Sequence, residues 1–527
     1  VGALAASDTQ AGQVVTFALG EDSLGHNVGR PLMTAPVAPA EWVALKFPGG
    51  PSGQKLGAGL ALLGDIDGDG RTDIGVGAPY QHGSGGATDI GAAHVFVSPT
   101  EALSSEFPWA LGGFPMHGLG DYLGATLAPA GDFDGDGYDD FILFAPGEDR
   151  PSSYGTEFSD PATCAGTRTG AGAAWIFRGG EELPTSPSFV FWGAATNAAL
   201  ATVAEPLDWN GDGLTDLAFG EPTYSTSGLP GRGAVRILEG RAWSGAGIDA
   251  ICSHDEALLG LRSIDNFGTS ITRLGDLDGD GCDELAVGAP REDLAGTDGG
   301  SIRVLFGHGE SCRTEPAVIT MSGQVSLDEF ARTLVGGQDL DGDGLPDLVV
   351  SAYERSVGIG NELGSVWMVP GYFLASIDPE PWTGNDPDIL WPFAIDDSRY
   401  RLNGWIDDEE FGASLALVPN VTIDGRPGIA VGAPLANLGG LYESGGVRIH
   451  VVDTSASGTW GHFLDPDPVA VFGGENHHGG GAKVGDRLYG GVRQGEPTLL
   501  IGGTGAHSLS TSGGAAWAVD LSPLTND

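Results

Sequence analysis

The pattern Asp-x-Asp-x-Asp-Gly-x-x-Asp puts four carboxylates within nine residues, and this chain carries it, or a close variant of it, five times. Alternate residues of a tight turn face its inside, so acids at the first, third and fifth positions converge. Glycine at the sixth position permits the bend, the seventh supplies its backbone carbonyl, and the acid at the ninth closes the shell. Oxygen donors alone, with no histidine or cysteine side chain in the set, select calcium over zinc or copper. An EF-hand places its last acid at position twelve, between two helices; here it stands at position nine, where an apolar run begins.

The candidate ligands are Asp65, Asp67, Asp69 and Asp73 with the carbonyl of Arg71, and Asp132, Asp134, Asp136 and Asp140 with that of Tyr138. They continue with Asp208, Asn210, Asp212 and Asp216 with the carbonyl of Leu214, and Asp276, Asp278, Asp280 and Glu284 with that of Cys282. The fifth set is Asp339, Asp341, Asp343 and Asp347 with the carbonyl of Leu345. A single copy could be an Asp/Gly turn without metal, but five clusters of close carboxylates would repel strongly if empty. About five Ca²⁺ ions are therefore expected, the third held less tightly because Asn210 removes one charge. Two worn copies follow, one keeping only Asp424 and one around 499–503 with no acid, and no ion is expected at either.

Short strands must position these loops. Apolar runs enter and leave each one, as at 60–63 and 74–78 around the first, and a third run opened by a small residue trails each unit: 92–97, 173–177, 234–238, 301–306, 365–369, 446–451 and 515–519. A fourth, alternating stretch such as 189–192 or 317–321 completes the unit, and no helical period competes. The repeat spacing is roughly 63 to 81 residues, room for four strands and four loops. Units that bury their faces only against copies of themselves predict an all-β, seven-bladed β-propeller of four-stranded antiparallel blades. The seventh trailing run is followed by no fourth strand, whereas residues 41–49 carry strand character before the first unit. They are predicted to complete blade seven, within a propeller spanning 41–527, with 1–40 as an N-terminal extension.

The acidic loops, Phe267-Gly268 and Phe411-Gly412, and Gly-Ala-Pro at 77–79, 288–290 and 432–434 together resemble the FG-GAP repeat of the integrin α-subunit propeller. The resemblance covers essentially 41–527. It implies the propeller fold and calcium, and it implies function only loosely, since similar repeats occur in bacterial surface proteins, in a glycan-anchor-cleaving phospholipase and near some polysaccharide lyases. The spacing between loops two and three leaves no room for an inserted domain, no leg domains follow blade seven, and no apolar stretch would cross a membrane. The expectation is an integrin-like propeller alone, from a bacterial source.

Composition narrows the classes further. Lys+Arg total 24 against 71 Asp+Glu, a net charge of −47, which excludes nucleic acid as a general partner. Glycine makes up about 17% of the chain without a collagen period, so the chain is folded and turn-rich. Cys164, Cys252, Cys282 and Cys312 allow three disulfide connectivities. Propeller topology favours 282–312 across the calcium face of blade four, and 164–252, with Cys252 placed on the outer part of blade three; free thiols are the alternative. On the face opposite the calcium loops, Tyr80, Arg150, Tyr154, Tyr224, Arg291, Tyr353 and Arg355 are predicted to ring the channel mouth and bind an unidentified protein or an acidic glycan. No nucleophile elbow, zincin motif or phosphate loop is present. The sequence reading is thus a secreted or cell-surface, monomeric ligand-binding or adhesion module, without membrane insertion. A carbohydrate-active enzyme and a structural scaffold rank below it.

Overall fold

The computed structural model describes residues 14–21, 27–31, 44–47, 55–82, 89–97, 110–111, 120–150, 167–240 and 249–251, and most of 255–521, with its longest interruptions at 355–362, 382–399, 437–444 and 475–482. Seven antiparallel sheets form the blades of a propeller. Blade one runs Leu60–Gly64, Asp73–Gly77, Ala93–Phe96 and Ala110–Leu111, and the same order of inner to outer strands recurs around the ring. The first two strands of each of the first five blades are joined by an acidic loop, so the loops share one face. The only helix among the described residues is Gly371–Ala375, and none is long and apolar enough to cross a membrane.

Blade seven consists of Val484–Arg493, Glu496–Gly503, Ala515–Asp520 and, from the other end of the chain, Ala44–Phe47. Ala44 pairs with Val519 and Phe47 with Ala516, joining residues close to both ends in one sheet. The N-terminal segment also contributes to blade six. Val14–Glu21 pairs antiparallel with the outer strand Ala470–Gly474, and Asn27–Pro31 pairs with Val14–Glu21 in turn. A second departure from the sequence reading lies at Asp249–Ile251, which adds in parallel to Phe189–Trp192 on the edge of blade two rather than extending blade three. Three residues carry too little pattern to show which edge they join.

The core lies between blades. Trp175 and Phe177 of blade two pack with Ala93 and Val95 of blade one, and comparable clusters fill each successive interface until Leu500 and Ala518 of blade seven meet Ile74 and Val76 of blade one. Each strand face is therefore buried by the next copy of the repeat, which is what fixes the loops in a ring. The glycines at the Phe-Gly and Gly-Ala-Pro positions of neighbouring repeats meet at these seams. A Cβ on Gly220 would stand 2.3 Å from the carbonyl oxygen of Gly268, and one on Gly432 would stand 2.2 Å from that of Gly485, so only glycine allows this approach.

At the third residue of the third strand, three blades bury an arginine against a glutamate. Arg236 pairs with Glu221 at 3.0 Å, Arg303 with Glu292, and Arg448 with Glu409 through two bonds of 2.9 and 2.6 Å. Trp175 and Trp367 fill the same register elsewhere. The innermost strands enclose a channel with two cavities of about 210 and 220 Å³ that meet at Glu205, Leu488 and Tyr489.

Candidate metal centres

The five loops share one hydrogen-bond scheme. The first-position carboxylate accepts the N–H of the sixth-position glycine: Gly70 to Asp65, Gly137 to Asp132, Gly213 to Asp208, Gly281 to Asp276 and Gly344 to Asp339, at 2.8–3.1 Å. Oδ1 of Asp67, Asp134, Asn210, Asp278 and Asp341 accepts the N–H of the fifth residue. Oδ1 of the fifth, in turn, accepts from the seventh, at Arg71, Tyr138, Leu214, Cys282 and Leu345. Asp73, Asp140, Asp216, Glu284 and Asp347 reach back to the N–H of the second residue. The turn is possible because glycines at both the fourth and sixth positions hold positive φ, +76° and +83° at Gly68 and Gly70. The sequence reading had assigned that role to the sixth alone.

Backbone N–H groups thus hold the carboxylates in place, through both oxygens at the first-position acids of loops two to five. Three acids approach within 4.8 Å of one another in four loops: Asp65, Asp67 and Asp73; Asp132, Asp134 and Asp136; Asp276, Asp278 and Glu284; Asp339, Asp341 and Asp347. Loop three keeps the turn with Asn210 in place of an acid. Oδ1 of Asp65 and Oε1 of Glu284 are buried and carry no hydrogen-bond partner among the described residues. Buried polar atoms left in that way cost free energy unless something else satisfies them, so the donor set fits a divalent cation. The ninth-position acids report the same strain. Burial, with neighbouring loop carboxylates adding to it, pushes Asp140 and Asp216 up to about 7, Asp347 to about 8 and Glu284 to about 9.

Several partners escaped the sequence reading because they come from other repeats. Asp139 accepts the N–H of Asp65 at 2.7 Å and Asp283 that of Asp208 at 2.7 Å, so each clamps the loop of the preceding blade. Both occupy the eighth position, so the repeat frame alone could have singled them out. Asp424 lies outside the described residues.

A disulfide joins Cys282, the seventh residue of loop four, to Cys312, with Cα atoms 6.1 Å apart. Cys164 and Cys252 lie outside the described residues. On the opposite face, Tyr80 packs edge-on against Tyr122, and Tyr224 lies under the Arg236 guanidinium, 4.5 Å from its ring centroid. Exposed Arg291 pairs with Glu329 at 3.5 Å. Half-buried Tyr353 has its hydroxyl pushed up to about 12, chiefly by burial. Arg150 is only 1% exposed and its backbone bridges to Arg168. Its guanidinium faces the interior, which removes it from the expected ring of accessible groups. Tyr154 and Arg355 lie outside the described residues.

The family model described as FG-GAP repeat matches residues 123–177, 267–305 and 330–368. This chain carries FG-GAP repeats in an integrin-α-like propeller. It is 35% identical to integrin alpha-IIb of Homo sapiens over 150 residues, 28% of this chain and 14% of that protein. It is 31% identical to integrin alpha-V of Gallus gallus over 241 residues, 44% of this chain and 20% of that protein. It is 30% identical to phosphatidylinositol-glycan-specific phospholipase D of Mus musculus over 251 residues, 47% of this chain and 28% of that protein. The chain thus spans less than a third of the length of each of these relatives.

Proposed function

We propose that this FG-GAP propeller is an extracellular, calcium-stabilised module for adhesion or ligand binding. The observation that carries the reading is the contrast between its two faces. One bears five loops with the same hydrogen-bond scheme, four of which bring three acids within 4.8 Å of one another. The other bears connections that differ in length and side chain from blade to blade. Repeated loops suit a repeated ion, and variable loops suit recognition, because selectivity needs side chains that differ around the site. Tyr80, Tyr224, Arg291 and Tyr353 are the groups proposed to contact a protein or acidic glycan. The similarity to integrin α subunits supports the same reading.

The test is a glycan array and a protein pull-down with the calcium-loaded chain, repeated with Tyr224→Ala and Arg291→Ala. Both variants should weaken capture while leaving ion stoichiometry and melting temperature nearly unchanged. Capture that runs directly through a loop calcium, or turnover of a bound polysaccharide, would replace this reading with a metal-bridged or enzymatic one.

A further inference from the structure

Loop four holds a cation of its own. The Arg313 guanidinium meets Oδ2 of Asp278 through Nε at 3.0 Å and Nη2 at 2.7 Å, while the Arg313 backbone N–H reaches Oδ2 of Asp280 at 3.2 Å. Oδ1 of Asp278 already accepts the N–H of Asp280. Both oxygens of the third-position acid are therefore engaged, one by backbone and one by arginine. Beside them, Oε1 of fully buried Glu284 has no hydrogen-bond partner among the described residues. Arg313 is held there by its neighbour, because Cys312 is bonded to Cys282 within the same loop. Its guanidinium also lies over the Phe306 ring, 4.9 Å from the centroid.

Loop two repeats the arrangement by an unrelated route. Arg178, one residue beyond the third strand Ala173–Phe177, brings Nε to 2.6 Å from Oδ2 of Asp134, the same atom of the same loop position. Oδ1 of Asp134 accepts from Asp136, as Oδ1 of Asp278 does from Asp280. Asp67, the equivalent acid of loop one, is held above the usual carboxylate range first by burial and then by the charges of Asp69 and Asp65 beside it.

We propose that Arg313 and Arg178 are resident cations that compete with the divalent ion for the third-position carboxylate, so that loops two and four bind calcium more weakly than their carboxylate count implies. The inference rests on the calcium reading above. A guanidinium in contact with a ligand carboxylate repels an incoming ion and withholds one ligand oxygen, and cation affinity in such loops follows ligand charge. The five loops would then fill in stages as calcium rises, the guarded ones last, and Arg313 and Arg178 would be affinity-determining residues rather than ligands.

The experiment is calorimetric titration of the chelator-stripped full chain with calcium alone, with native mass spectrometry to count ions. The chains compared are the wild type, Arg313→Gln, Arg178→Gln and Arg313→Gln combined with Glu284→Gln. Each arginine variant should tighten one site by about tenfold without changing the number of ions. Adding Glu284→Gln should abolish the tightened site, assigning it to loop four. Damage to the fold would weaken binding, so a gain in affinity separates competition from a structural role. Full ion occupancy with affinities unchanged or weakened in both arginine variants overturns this inference alone. A wild-type chain that binds no calcium overturns the calcium reading and this inference with it.

Discussion

The acid at the ninth position links the loop to the blade, since it accepts from the turn and stands at the start of the second strand or, at Asp216, immediately before it. In three loops its other oxygen accepts an N–H just beyond the third strand, from Gly179 to Asp140, Gly240 to Asp216 and Gly371 to Asp347. Because these acids, and Glu284, titrate well above the usual carboxylate range when no ion is bound, the folded state favours their protonated form. That stability is fully present below about pH 4 and is lost as pH rises through about 7 to 9. The chelated protein should therefore melt at a lower temperature at pH 9 than at pH 6, and saturating calcium should remove or reverse the slope. A chelated midpoint that rises over that interval would contradict the assignment. A second prediction concerns Arg448, 1% exposed and doubly bonded to Glu409. Arg448→Ala leaves a buried carboxylate uncompensated and should cost about 3–5 kcal/mol by chemical denaturation. Replacing the pair together, Arg448→Met with Glu409→Leu, should cost less.

The strand Ala44–Phe47 does for blade seven what a hairpin does elsewhere, with a partner that lies more than 450 residues away along the chain. Deleting residues 1–50 should abolish cooperative unfolding or cause aggregation, because blade seven would be left with an open edge. Among the described residues, deleting 1–38 removes the two strands added to the outside of blade six, and it should leave a cooperative, somewhat less stable protein. Equal behaviour of the two truncations in thermal melts would refute the closure. Strands, loops and blade number were legible in the sequence because they repeat, and a repeat exposes the same pattern seven times. What was not legible was unique to one blade or crossed between blades. The parallel strand Asp249–Ile251 is three residues long, the Asp139 and Asp283 clamps act on a neighbour's loop, and Arg150 is buried where its backbone bridges to Arg168. None of these follows a period, and each depends on which segments the ring brings together.

Around the whole ring, every core cluster is shared by two blades, so a loop that loses its shape loosens two interfaces. Five divalent ions would offset only about ten of the 47 excess negative charges, which leaves most of the acidity to the solvated surface. Their contribution to stability is larger than that share suggests. At dissociation constants of about 10⁻⁴ M and millimolar calcium, each ion adds roughly 1.4 kcal/mol by mass action, and five add about 7 kcal/mol. That equals the whole stability of many domains. The most direct test is therefore the calcium stoichiometry of the dialysed chain, read together with its melting temperature before and after chelation. The account predicts a stoichiometry near five and a marked, calcium-reversible fall in melting temperature. One ion or none, or a melting curve indifferent to chelator, would contradict it.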